Sequence, residues 1–214
     1  MIRAFLAASV VALAAAYQAG SLTASQRSAT VPIVTAGIDQ NAARIQLPRA
    51  KLLNVAGATG PRHEIKSLLN VPGRIRYGEY VWDDRGVKDG PLWVFVDLTA
   101  QTMSVFRGND EIGATVLLYG ADDMPTPTGR FTVRAMKKDH WSRSYDAPMP
   151  YSLWLTDDGV AIHGSDVRAG AATHGCVGVP LEFAKRLFAA ANVGAEVFIT
   201  RPPKLTAGSP DQAI

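Results

Sequence analysis

The run LWVFVDLTAQTMSVFRGNDEIGATVLLYG, residues 92–120, decides the fold class. LWVFVDL (92–98) and TMSVF (102–106) are dense in β-branched and aromatic residues, with polar TAQ between them, which is the pattern of two paired strands. RGND (107–110) predicts a turn, and EIGATVLLYG (111–120) a third strand. Downstream, PTPTG (125–129) is a turn-rich loop leading into RFTVRA (130–135). YSLWL (151–155) and VAIHG (160–164) flank TDDG, whose Asp158-Gly159 step signals a hairpin. One helix follows: Pro180 sits at its first turn and Glu182 near its positive end, with Leu181, Ala184, Leu187, Phe188 and Ala191 on one face and Gly194 as its stop. AEVFIT (195–200) closes the series as a last strand. Many short strands with one main helix predict a mainly β sandwich or open barrel over residues 90–201.

The flanks read differently. MIRAFLAASVVALAAAYQAGSLTA (1–24) has a positive Arg3, an apolar run from Ala4 to Ala16 and small residues after it, the pattern of a secretory signal peptide. The run is short for a membrane span, which needs ~20 residues. An uncleaved anchor is the alternative, and membrane contact is expected only through this segment. Residues 25–89 are rich in Ala, Gly, Pro and basic side chains and predict an extension or linker, with one short helix at 64–71 closed by Pro72-Gly73. Residues 202–214 form a polar tail.

Composition narrows the function classes. The chain has 214 residues, room for one domain with a real core, and 47% of them are apolar, which excludes wholesale disorder. A net charge of +3 suits an anionic surface such as an envelope polymer. No basic stripe interleaved with aromatics is present, so no nucleic-acid partner is expected.

The chemistry gathers in AIHGSDVRAGAATHGCVGVP (161–180). It holds the single cysteine, Cys176, and two of the four histidines, His163 and His174. In an exported protein one cysteine cannot form an internal disulfide, which leaves a buried bystander, an intermolecular link or a reactive thiol. A histidine near a thiol can take its proton, and acyl transfer also needs backbone N–H groups aimed at the developing oxyanion. Gly175, directly before the cysteine, allows the bend that would aim the Gly175 and Cys176 N–H groups into one pocket. His163 lies thirteen residues before Cys176, near enough for a loop to bring the two together. Spacing alone also allows a zinc site built on these histidines and the cysteine, with water in the open position.

HGSDVRAGAATHGCVGVP (163–180) resembles the signature of the bacterial L,D-transpeptidase catalytic domain, in which His-Gly is followed by a variable loop and then Ser/Thr-His-Gly-Cys. The likeness runs from about residue 90 to 201 through VDLTAQTMSVF, IGATVLLYG, PTPTGRF and PLEFAKRLFAAANVGAEVFIT. It implies Cys176 as the nucleophile and His163 as the general base, with the Gly164 carbonyl orienting the His163 ring. His174 and Gly175 would shape the oxyanion pocket. The implied substrate is a peptidoglycan stem tetrapeptide, cleaved through a Cys176 thioester. An amine acceptor would then give a 3→3 cross-link, and water a carboxypeptidase outcome. No metal or organic cofactor is implied, carbapenem-type β-lactams are the expected inhibitors, and the expected location is the periplasm or cell envelope. A non-catalytic envelope-binding module remains the alternative outside the enzymes.

One residue departs from the family pattern. Where the family carries Arg two positions after the cysteine, this chain has Gly178. Arg168, between the two histidines, is the nearest candidate substitute. DHWSRSYDAPMPY (139–151) has the polar-aromatic mix of a lid, with Trp141 and Tyr145 as candidate walls of a substrate groove. His140 lacks the His-Gly context, and His63 is expected at the surface of the extension.

Overall fold

A computed structural model of the chain describes residues 44–53, 63–71 and 73–202. The apolar segment at 4–16 and most of the polar tail lie outside the described residues. Among the described residues the fold is mainly β with one helix, in two principal sheets that do not close into a barrel.

The stretch 92–116 forms the centre of the larger sheet as β4 (Leu92–Asp97), β5 (Thr102–Arg107) and β6 (Asp110–Val116), an antiparallel meander. Its alternation determines what each face buries. Leu92, Val94 and Val96 enter the main core, while Trp93 and Phe95 point to the opposite face. There Trp93 stacks on Phe106 at 4.1 Å and, with Phe198 and Ile65, forms a second, smaller core. Burying both faces explains why LWVFV reads as a continuous apolar run instead of an alternating one.

The segment expected to be an extension contributes three strands to this sheet. They are β1 (Arg44–Leu53), β2 (His63–Leu69) and β3 (Tyr80–Trp82). The helix expected at 64–71 is therefore a strand. Ile65, Leu68 and Leu69 fit helical spacing, but burial runs with period two through Ile65, Ser67 and Leu69. Antiparallel β1 supplies the hydrogen-bond ladder, and the buried Glu111 carboxylate accepts the Leu69 N–H at 2.8 Å. His63 is half-buried, its ring stacked on Trp93 at 4.2 Å and its Nε2 2.9 Å from Glu196 Oε2.

The smaller sheet is built from β8 (Ala135–Lys137), β11 (Ser152–Trp154), β12 (Ala161–Ser165) and β13 (Val177–Pro180), in the order β13-β12-β11-β8. RFTVRA is thus divided: its first part is β7 (Gly129–Thr132), which joins the larger sheet beside β14 (Glu196–Thr200). A two-stranded hairpin, β9 (Trp141–Ser142) with β10 (Ala147–Pro148), occupies the lid-like segment.

Helix α1 (Leu181–Ala190) starts directly from β13 with Pro180 as its N-cap residue. It buries Phe183, Ala184 and Leu187 in the main core. Leu181, expected on that face, is 48% exposed. Its place belongs to Phe183, because the strand feeds the helix in at the sheet edge and leaves the first residue outside the sandwich.

Candidate active site

Strands β12 and β13 are parallel neighbours, with Ile162 opposite Val177, His163 opposite Gly178 and Gly164 opposite Val179. Ile162, Val177 and Val179 are fully buried in the main core. Successive side chains on a strand point to opposite faces, so His163 and Gly178 share the face turned away from that core. Cys176 directly precedes β13 and joins His163 along one cavity of about 720 Å³. The expected pair is brought to one wall by sheet register, across a loop of twelve residues.

Ring orientation follows from the backbone. His163 Nδ1 lies 3.0 Å from the Gly164 carbonyl oxygen. A carbonyl only accepts, so this contact keeps the proton on Nδ1 and leaves the Nε2 lone pair free. Ser165 Oγ lies 3.2 Å from the same Nδ1. The Gly164 N–H donates to the Pro150 carbonyl at 2.8 Å, and a Cβ on Gly164 would meet Leu181 Cδ1 at 3.0 Å. The base strand and the loop after the hairpin pack this closely only because residue 164 is glycine.

The cysteine backbone is held by two threonines that sequence reasoning did not single out. Thr173 Oγ1 donates to the Cys176 carbonyl at 2.5 Å, and Thr126 Oγ1 donates to the same oxygen at 3.4 Å. Thr126 also accepts the buried Gly120 N–H at 2.8 Å, which gives the PTPTG loop a direct part in placing Cys176. The backbone of 118–121 pairs with Gly178 on one side of the cysteine and Thr173 on the other. Gly175 has φ +103°, a conformation glycine adopts without strain. A Cβ on the facing Gly120 would lie 2.8 Å from the Gly175 backbone. The positions of these residues inside PTPTG and Thr-His-Gly-Cys were the available signal. Their hydroxyl partners were not visible without the fold.

Burial biases both members of the pair toward their neutral forms. Burial pushes the Cys176 thiol up, partly offset by a backbone hydrogen bond at Ala161. Burial pushes the His163 imidazole down; the Gly164 carbonyl opposes this, and the nearby His140 adds to it. The thiol donates to the Gly159 carbonyl at 3.6 Å. Such a site suits transfer of the proton during attack over a standing thiolate–imidazolium pair.

The other expected residues are distributed around two cavities. Tyr145 and His174 line both, and their rings stack at 4.3 Å and 8°. The His174 side chain is thereby engaged with the hairpin, while Gly175 lines the second cavity, of about 930 Å³. Trp141 also lines the second cavity, half exposed, its Nε1 donating to Asp146 Oδ1 at 3.1 Å. Arg168 stands at the rim of the first, 3.3 Å from Asp166, with both side chains largely exposed. His140 lines the second cavity, as Cys176 does, with its ring edge-on to Trp154. Among the described residues no group of three or more His, Cys, Asp or Glu side chains is placed to hold a metal ion.

No curated protein matches the chain significantly. Among solved structures, an L,D-transpeptidase of Stackebrandtia nassauensis is 25% identical, with 54% of this chain and 60% of that chain covered and a TM-score of 0.49. An L,D-transpeptidase of Mycobacterium smegmatis is 20% identical over 51% of this chain and 58% of that one, with a TM-score of 0.48. One from Mycobacterium tuberculosis H37Rv is 20% identical over 53% and 60%, with a TM-score of 0.49. This chain therefore matches less than two thirds of the length of these proteins. The model of the YkuD L,D-transpeptidase catalytic domain matches residues 91–199, just over half of the chain and the whole of the site. The chain belongs to the L,D-transpeptidase catalytic domain family.

Proposed function

We propose that the protein is an exported, cysteine-dependent L,D-transpeptidase that acts on peptidoglycan stem tetrapeptides. The observation that carries this reading is the placement of Cys176 and His163 on one cavity, with His163 Nδ1 held by the Gly164 carbonyl. His163 Nε2 takes the thiol proton as sulfur attacks the carbonyl between the L-centre of residue three and the terminal D-residue. The C–N bond breaks, the departing amine takes the proton back from His163, and a thioester remains on Cys176. The side-chain amine of a second stem then attacks the thioester carbonyl, the C–S bond breaks, and the proton passes through His163 to restore the thiol. The product is a 3→3 cross-link.

Backbone N–H groups at Gly175 and Cys176 would stabilise the oxyanion in each half-reaction. Two cavities that both border Cys176 suit a reaction with a donor and an acceptor. A carbapenem would acylate the same thiol, because its strained carbonyl takes the place of the scissile amide.

The test is intact-mass spectrometry after incubation with a carbapenem, followed by incubation with a stem tetrapeptide and an amine acceptor. The expected results are a single adduct dependent on Cys176 and a dimer linked at residue three. Folded protein with a titratable thiol that forms neither product would defeat the reading.

A further inference from the structure

Residue 178 stands directly opposite His163 across the β12–β13 ladder, and it has no side chain. The space is filled by Ser165, two residues after His163 on the same strand and therefore on the same face. A Cβ built on Gly178 would lie 2.7 Å from Ser165 Oγ, 3.0 Å from Ser165 Cβ and 3.4 Å from Leu118 Cβ. Real Cβ atoms do not approach that closely, so any side chain at 178 displaces the Ser165 hydroxyl. That hydroxyl is the group 3.2 Å from His163 Nδ1.

We infer that Ser165 is a positioning residue for the catalytic imidazole and that Gly178 is the residue that admits it. This rests on the assignment of His163 as the base. The Gly164 carbonyl and the Ser165 hydroxyl converge on one nitrogen from two directions, which holds the ring plane as well as the tautomer. The two groups are not equivalent. A carbonyl only accepts, whereas a hydroxyl rotates, so Ser165 accepts from Nδ1–H in the neutral ring and again in the imidazolium formed when the thiol gives up its proton. Hydrogen bonds to a charged partner are the stronger kind, so Ser165 favours the protonated state reached during attack. It acts against the burial that disfavours that state. An arginine at 178 would begin with the Cβ that this arrangement excludes, so the departure at 178 and the serine at 165 form one structural unit.

The chain has one cysteine, which makes thiol alkylation a direct reading of the pair. The experiment uses the full chain, measures iodoacetamide alkylation of Cys176 from acid to alkaline pH, and follows the His163 ring nitrogens by NMR. The titratable or charged groups facing the pair are Asp166 and Arg168 after β12, His174 before the cysteine, Arg143 and Tyr145 on the hairpin, His140 before it, Lys137 on β8 and Asp158 before β12. All are kept unchanged in every variant.

Ser165→Ala is expected to slow alkylation at neutral pH roughly ten-fold, the loss of one hydrogen bond to a charged group. It should also move the profile to higher pH, with an unchanged thiol count and circular dichroism. Gly178→Ala should reproduce both effects, and Ser165→Thr should keep the wild-type profile. In the Ser165→Ala background, Gly178→Ala should add little. A wild-type profile in Ser165→Ala, or a Gly178→Ala effect of full size without the hydroxyl, would overturn the inference. Alkylation reads the thiol–imidazole pair whether or not an acyl group reaches an amine. Failure of cross-linking with this pattern intact therefore counts against the proposed function alone.

Discussion

His163 and Gly178 face each other on adjacent parallel strands, so the second residue after Cys176 lies beside the imidazole. His163 and Cys176 lie thirteen positions apart in the chain, yet the ladder brings both to one cavity. Short-range order in β13 and long-range pairing to β12 thus act on the same few side chains.

The assignment of nucleophile and base makes the first expectation. Cys176→Ala should abolish both carbapenem adduct and cross-linking. His163→Ala should lower acyl transfer by roughly 10²- to 10⁴-fold, the usual contribution of a positioned general base. Both variants should fold, which thermal unfolding checks. Substantial transfer by Cys176→Ala would show that another group attacks.

The threonine clamp predicts an unequal pair of losses. Thr173→Val removes one hydroxyl from the Cys176 carbonyl and should cost about 1 kcal/mol of stability. Thr126→Val removes a second and also strands the buried Gly120 N–H, so about 1–3 kcal/mol is expected. Denaturant unfolding gives the order. Acylation should slow in both, because the sulfur is aimed by the backbone that these hydroxyls hold.

The pH dependence has a definite sign. His163 is depressed below its ordinary value, chiefly by burial, so acylation should hold through the mildly acidic range where a free histidine is already protonated. For stability, the unfolded chain binds the proton more readily than the folded one. The contribution of neutral His163 is therefore complete above the ordinary imidazole value and lost as pH falls through the lower folded value. Cys176 lies above the ordinary thiol value, so its alkylation should keep rising into the alkaline range. An acid limb of acylation at the ordinary histidine value would contradict the burial of His163.

Tyr145→Ala removes the ring stacked on His174 and a wall shared by both cavities. Such aromatic pairs contribute about 0.5–1.5 kcal/mol. A rise in KM of roughly ten-fold or less is expected, with carbapenem acylation still confined to Cys176. Equal losses in kcat and kcat/KM would show instead that the stack acts only in the transition state.

Trp93 tests the second core. It is fully buried, and its indole N–H donates to the Gly108 carbonyl at 2.8 Å. Trp93→Ala should cost about 3–5 kcal/mol, read by denaturant unfolding. The loss includes the support that Trp93 gives to His63 and β2.

Local order was legible where the signal is local. Branched and aromatic residues at 92–106 specified a strand pair, Pro180 marked the start of the helix, and Gly175 before Cys176 announced a backbone bend, while the helix ends at Ala190, ahead of the expected stop at Gly194. His-Gly and Thr-His-Gly-Cys pointed to the candidate residues of the site through the family resemblance they carry. Only the tertiary structure decided the rest. Residues 63–69 fit helical and strand spacing alike, and the choice fell to the strand because β1 and Glu111 supply its hydrogen bonds. Leu181 satisfied the helical pattern and still lies outside the core, since the point at which β13 delivers the helix is set by the sheet. The Thr126 hydroxyl reached the Cys176 carbonyl only when the 118–129 segment came against the residues before β13. A sequence pattern records which faces of an element are apolar. Hydrogen bonds between distant strands depend on register, and register exists only once the sheets have formed.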